Sequence, residues 1–105
     1  MERNKNLKVA KAFAKRVKKA FGDAKIIFFG SRAGKDYLLE SDYDFIIISK
    51  SFQGINFFKR MSEMYAYWNE RQALEALCYT PEEFEEKKKL IGIASEAAKK
   101  GITLS

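Results

Sequence analysis

Lys25-Ile26-Ile27-Phe28-Phe29-Gly30-Ser31-Arg32-Ala33, followed by Ser41-Asp42-Tyr43-Asp44-Phe45-Ile46-Ile47-Ile48-Ser49, decides how this chain is read. Lys25 to Phe29 is an apolar run stopped by Gly30. It is too short for a helix and predicts a buried strand. Asp44 to Ser49 is rich in β-formers and predicts the central strand. A small-residue turn therefore closes one strand, and two carboxylates open the next.

Working outward, Leu7, Ala10, Phe13, Val17 and Phe21 recur at helical spacing with Lys and Arg between them, which predicts a helix over residues 4–21. Gly22 stands where a helix C-terminal glycine belongs. Residues 30–41 form a connection, and the part just after Gly30 suits a short helix. Ile55, Phe58, Met61, Met64 or Tyr65, and Trp68 predict a second amphipathic helix over 55–69. Leu74 to Tyr79 reads as a third strand. Thr80-Pro81-Glu82-Glu83 is a helix start: Thr as N-cap, Pro in the first turn, and Glu three residues on as a capping box. That helix is expected to reach about Leu90. A last one, Ile91 to Lys100, ends at Gly101, and Ile102-Thr103-Leu104 can add a short edge strand. The pattern predicts an α/β (α+β) fold, a small mixed β-sheet with helices packed on it. The 105 residues are expected to form a single domain over 1–105.

Composition narrows the chemistry. Hydrophobic residues at 47% and charged residues at 32% describe a globular chain, not a disordered one. Histidine is absent, so imidazole bases, nucleophiles and ligands are excluded. Any metal must be held by oxygen, which points to Mg²⁺ or Mn²⁺. The one cysteine, Cys78, lies in an apolar run and reads as a buried, inert thiol. With no apolar stretch of membrane-spanning length and no signal peptide in view, the expected location is the cytoplasm. The net charge of +6 favours anionic partners. The lysines are spread over several predicted helices with no Arg/Lys cluster, which argues against direct nucleic-acid binding.

Asp42 and Asp44 are two apart, so on an extended chain they share a face about 6.5–7 Å apart. Carboxylates so placed can flank one cation or bridge two about 3.5–4 Å apart. Turn chemistry leading into a strand explains the same residues without a cation. Gly30 admits a phosphate close to the backbone, and Ser31 with the N–H groups after it can donate to it. Arg32 and Lys35 can add charge or simply be solvated. Gly30 to Asp36 superficially resembles a Walker A loop, but the glycine spacing is one short and Asp36 replaces the required Ser or Thr. Glu75 is a third carboxylate inside an apolar strand. It either joins the aspartates or faces solvent on a sheet edge.

Taken together, Gly30-Ser31-Arg32-Ala33, Ser41-Asp42-Tyr43-Asp44, the acidic Glu75 and Tyr79-Thr80-Pro81-Glu82-Glu83-Phe84 resemble the minimal nucleotidyltransferases of the DNA polymerase beta superfamily, over residues about 9–90. The resemblance implies a nucleotidyltransferase-like fold and a Mg²⁺-dependent enzyme. It implies Gly30, Ser31 and Arg32 at the nucleotide phosphates, and Asp42, Asp44 and Glu75 as catalytic and metal-binding residues. Gly34 before Lys35 and Glu75 in place of the usual Asp depart from the family pattern. The implied reaction moves AMP from ATP onto a hydroxyl. Its implied acceptor is a tyrosine of a HEPN-domain partner, the chain being the antitoxin of a toxin–antitoxin pair. A homodimer could equally complete the acceptor surface. Tyr65, Tyr67 and Trp68 either meet such a partner or lie in the core. A nucleotide- or partner-binding module without catalysis remains the alternative.

Overall fold

The computed structural model describes residues 2–34 and 41–104. Lys35 lies outside the described residues. Among the described residues there are four helices and four strands: α1 (Glu2–Ala20), β1 (Lys25–Phe29), β2 (Tyr43–Ile48), α2 (Phe57–Met64), β3 (Leu74–Tyr79), α3 (Pro81–Lys88), α4 (Ile93–Lys100) and β4 (Ile102–Leu104). Short 3-10 turns occupy Ser31–Ala33, Lys50–Phe52 and Tyr65–Tyr67.

The strands form one mixed sheet in the order β3-β2-β1-β4. β1 runs antiparallel to both β2 and β4, whereas β2 and β3 are parallel. This arrangement fixes the position of the site. The end of β1, the start of β2 and the start of β3 all fall on one rim of the sheet.

Strand side chains alternate between faces, and both faces are covered. Ile26, Phe28, Phe45, Ile47 and Cys78 share one buried cluster with the apolar stripe of α1, which is Ala10, Phe13, Ala14 and Val17, and with Phe52 and Met64. Ile27, Ile46, Ile48 and Tyr79 pack against Phe84 of α3 and Ala94 and Ala97 of α4. Burial on both sides explains why β1 and β2 read as unbroken apolar runs. Cys78 is fully buried, and burial pushes its thiol up to about 12. The start of α3 is as the sequence predicts. Thr80 Oγ1 accepts from the Glu83 N–H, and the Glu83 carboxylate accepts from the Thr80 N–H.

The second helix differs from expectation. Asn56 caps it by accepting from the Phe58 N–H at 2.9 Å, so it starts at Phe57, and it tightens into a 3-10 turn at Tyr65. The inward positions are then Phe57, Arg60 and Met64. Phe58, expected inside, is 74% exposed. Arg60 takes the inward place because its guanidinium finds full partners there. It donates to the Ile55 carbonyl at 2.8 Å, the Cys78 carbonyl at 3.0 Å and the Glu83 carboxylate at 2.6 and 3.2 Å. A buried charge is tolerated when it is paired in this way. Two boundaries also move. α3 ends at Lys88 and α4 begins at Ile93, leaving Leu90 and Ile91 exposed between them.

Candidate active site

The site is built on the shared rim. In the parallel pairing of β2 and β3, Asp44 stands opposite Glu75, and in the antiparallel pairing of β1 and β2 it stands opposite Phe29. Asp44 lies two residues before Ile46, so it points to the α3/α4 side of the sheet, and Glu75 points the same way. Both are half-buried. Their carboxyl groups share a hydrogen bond. Desolvation, that hydrogen bond, and the charges of Glu75 and Asp42 raise the Asp44 carboxyl to about 7. Burial disfavours the charged form first, and the neighbouring anions add to it, so the carboxyl favours a proton near neutrality.

Asp42 precedes β2 and is exposed. Its charge acts on Asp44. The structure brings Asp44 and Glu75 into contact and sets Asp42 beside them. Among the described residues, no three carboxylates are close enough together to share a cation as they stand. The acidic groups expected to converge thus form a bonded pair with a more open third member.

Gly30 closes β1 with φ +81°, a left-handed conformation that side chains rarely adopt. A Cβ there would collide with the Asp44 carboxylate. Glycine is required twice over, by the backbone and by the carboxylate lying against it. Ser31 opens the 3-10 turn and is exposed. Gly30 and Ser31 then accept at their carbonyls from the Ala33 and Gly34 N–H groups, at 3.2 and 3.1 Å. A cleft of ≈ 620 Å³ opens beside this corner, between Phe29, Gly30 and Ala33 on one side and Ile93, Glu96 and Lys100 on the other.

Arg32 turns inward. It is only 4% exposed. Its Nε donates to the Ser41 carbonyl at 2.8 Å, and its Nη1 donates to Asn6 Oδ1 at 3.1 Å and to the Tyr43 hydroxyl at 3.3 Å. The guanidinium also lies 4.5 Å from the centroid of the Tyr43 ring. Tyr43 in turn donates to Asn6 Oδ1 at 2.9 Å, and Asn6 Nδ2 donates to the Arg32 carbonyl at 3.3 Å. This knot ties α1, the 3-10 turn and the start of β2 together. It joins the Gly30 corner to the start of β2, where Asp42 and Asp44 lie.

Asn6 was not legible as part of the site, although one signal was present. It precedes Ala10, Phe13 and Val17 at helical spacing and is 2% exposed. An amide on an apolar stripe needs partners. Tyr43 carried no such mark. The aromatic residues considered for a partner contact divide. Trp68 packs on Phe13, Tyr43 and Phe45. Tyr67 packs on Phe21. Tyr65 is 53% exposed while its hydroxyl donates to the Leu74 carbonyl at 2.6 Å.

A mixed sheet with a glycine-serine corner facing paired carboxylates defines a nucleotidyl-transfer domain. A nucleotidyltransferase domain family matches residues 10–100, and the chain belongs to that family. The fold is similar to the crystal structure of a "putative nucleotidyltransferase" from Sulfolobus solfataricus, with 27% identity and a TM-score of 0.64, over 86% of this chain and 78% of that one. No curated protein matches. The domain is a transferase in its general activity, and its role is nucleotidyl transfer. Among the described residues no helix is long and apolar enough to cross a membrane.

Proposed function

We propose that this domain moves AMP from ATP onto a hydroxyl acceptor, a tyrosine of a HEPN-type partner, as the antitoxin of a toxin–antitoxin pair. The observation that carries the transfer chemistry is Asp44, paired with Glu75 and lying against Gly30. The donor set fits a hard divalent cation. It offers carboxylate and hydroxyl oxygens in a chain without histidine. Asp42, Asp44 and Glu75 would hold Mg²⁺ or Mn²⁺. The metal, when bound, supplies charge neutralisation at the phosphates and lowers the pKa of a nearby hydroxyl.

The chain's own residues do the rest. Gly30 lets the triphosphate approach the backbone, and the Ser31 hydroxyl donates to it. The adjoining cleft of ≈ 620 Å³ has room for the nucleoside. The acceptor oxygen attacks the α-phosphorus, the α–β anhydride bond breaks, and pyrophosphate leaves with the bonding pair. The acceptor proton passes to a carboxylate oxygen of the Asp44–Glu75 pair. Exposed Ile93 lines the α4 side of the cleft, and exposed Leu90 and Ile91 precede it in the chain, a grouping that suits a protein acceptor better than a small solvated one.

A second reading has its own observation. Burial and the neighbouring Glu75 favour the protonated form of Asp44, and a protonated pair needs no cation, as suits a binding module lacking catalysis. Incubation with α-labelled ATP, Mg²⁺ and the co-expressed helical partner separates the two. Transfer of label to a partner tyrosine, lost in Asp44→Asn, is the expected result. Nucleotide binding with no pyrophosphate release supports the module instead.

A further inference from the structure

The geometry points to a second binding surface, a groove between α1 and the outer edge of β4 that takes an acidic, extended peptide segment of a partner as an added strand. The groove has a volume of ≈ 590 Å³. Its floor is apolar, formed by Ala14 and Leu104, and Thr103 lies beside it. Its wall is a row of Lys11, Lys15, Lys18 and Lys19. Those positions recur at three- and four-residue spacing, so α1 gathers onto one side lysines that look dispersed in the sequence. Among the described residues none of the four forms an ion pair.

β4 pairs with β1 along one side only, and among the described residues no strand pairs with its other side. An open sheet edge is a template for another strand. The lysine row runs from Lys11 to Lys19, eight helical steps or about 12 Å. Roughly four residues of extended chain cover the same length. A strand laid there would place alternate side chains beneath α1. Carboxylates on that face reach the lysines, and an apolar side chain rests on Ala14 and Leu104. Nucleic acid is the poorer fit, because the lining offers no aromatic ring for stacking and no guanidinium, and an apolar floor does nothing for a phosphate backbone. The groove lies toward the Ile26 end of β1, away from Gly30, since Leu104 pairs with Ile26. It therefore stands independently of the transferase reading.

The test uses the full chain, labelled with ¹⁵N, and a short fluorescent peptide of alternating Glu and Val. Binding is expected to shift the amide resonances of Thr103 and Leu104 and to weaken as salt is raised. Lys15→Glu with Lys18→Glu should weaken it by about tenfold or more, and so should Lys11→Glu with Lys19→Glu if the first pair fails to fold. Equal binding of an alternating Lys and Val peptide overturns the proposal. So does tighter binding of oligothymidylate through the same lysines, self-association that the same substitutions abolish, or an absence of shifts at β4.

Discussion

Gly30 leaves the space that the Asp44 carboxylate occupies: a Cβ on the glycine would fall on Asp44 Oδ2. The φ of +81° at Gly30 adds a second demand on the same residue. Gly30→Ala should therefore cost about 1–3 kcal/mol through backbone conformation alone. Thermal unfolding should show this as a fall of about 4–8 °C per kcal/mol. Transfer activity should drop further than the stability loss explains, because the methyl displaces Asp44. Activity equal to wild type at a temperature where both proteins are folded would show that the corner does not position the carboxylate.

Asp44 binds its proton more tightly in the folded chain, at about 7, than at its ordinary value of 3.8. The native state therefore holds more protons than the unfolded state between those values. This contribution to stability is fully present below 3.8 and is lost as pH rises through about 7. Asp23 and Glu83 act the other way. Hydrogen bonds from Ser49 and the Lys50 N–H lower Asp23, Arg60 lowers Glu83, and their contributions fade in acid. Urea midpoints of the metal-free protein at about pH 3, 5 and 8 should separate these effects, the acid limb lying below pH 5 and the Asp44 limb above it. Asp44→Asn should flatten the loss above pH 5 and leave the acid limb unchanged.

Arg60 is 5% exposed and Glu83 keeps a side-chain exposure of 43%. Breaking a fully buried pair costs about 3–5 kcal/mol. The solvated side of Glu83 reduces this, so Arg60→Met should cost about 2 kcal/mol in chemical denaturation. Arg60→Lys should recover little, because an ammonium cannot serve both Glu83 oxygens and two carbonyls in one plane. Full recovery by lysine would mean that charge alone matters at this position.

Tyr43→Phe removes a hydroxyl that donates to Asn6 and accepts from Arg32. About 1–2 kcal/mol of stability should be lost. The KM for nucleotide should rise more than kcat falls, because the knot positions the Gly30 corner and takes no part in proton transfer. A selective loss of kcat would assign Tyr43 a different role.

What the sequence revealed and what it hid divide by range. The Thr80-Pro81-Glu83 start of α3 was readable because all its partners lie within one turn. The sheet-forming runs were readable because burial on both faces leaves no polar interruption. Asp44 and Glu75 were expected on adjacent strands, and the parallel register opposes them. Arg32 and Arg60 were not readable as buried residues. Their partners lie 26 positions away at Asn6 and 23 at Glu83, and nothing near an arginine marks the carbonyls it will meet. The burial of Arg60 also explains the misplacement of Phe58. A helical wheel drawn from hydrophobicity cannot assign a cation to the inner face. The lysine row of α1 was hidden for a different reason, since composition counts charges without showing which ones a helix will align.

Cys78, the single cysteine of the chain, is sealed inside the larger of the two buried clusters. Its thiol is held away from its reactive form by burial. An alkylating reagent can reach it only in molecules that have opened. The fraction modified during a brief pulse thus counts the open population directly, and a silent core atom becomes a ready gauge for ranking every variant described above.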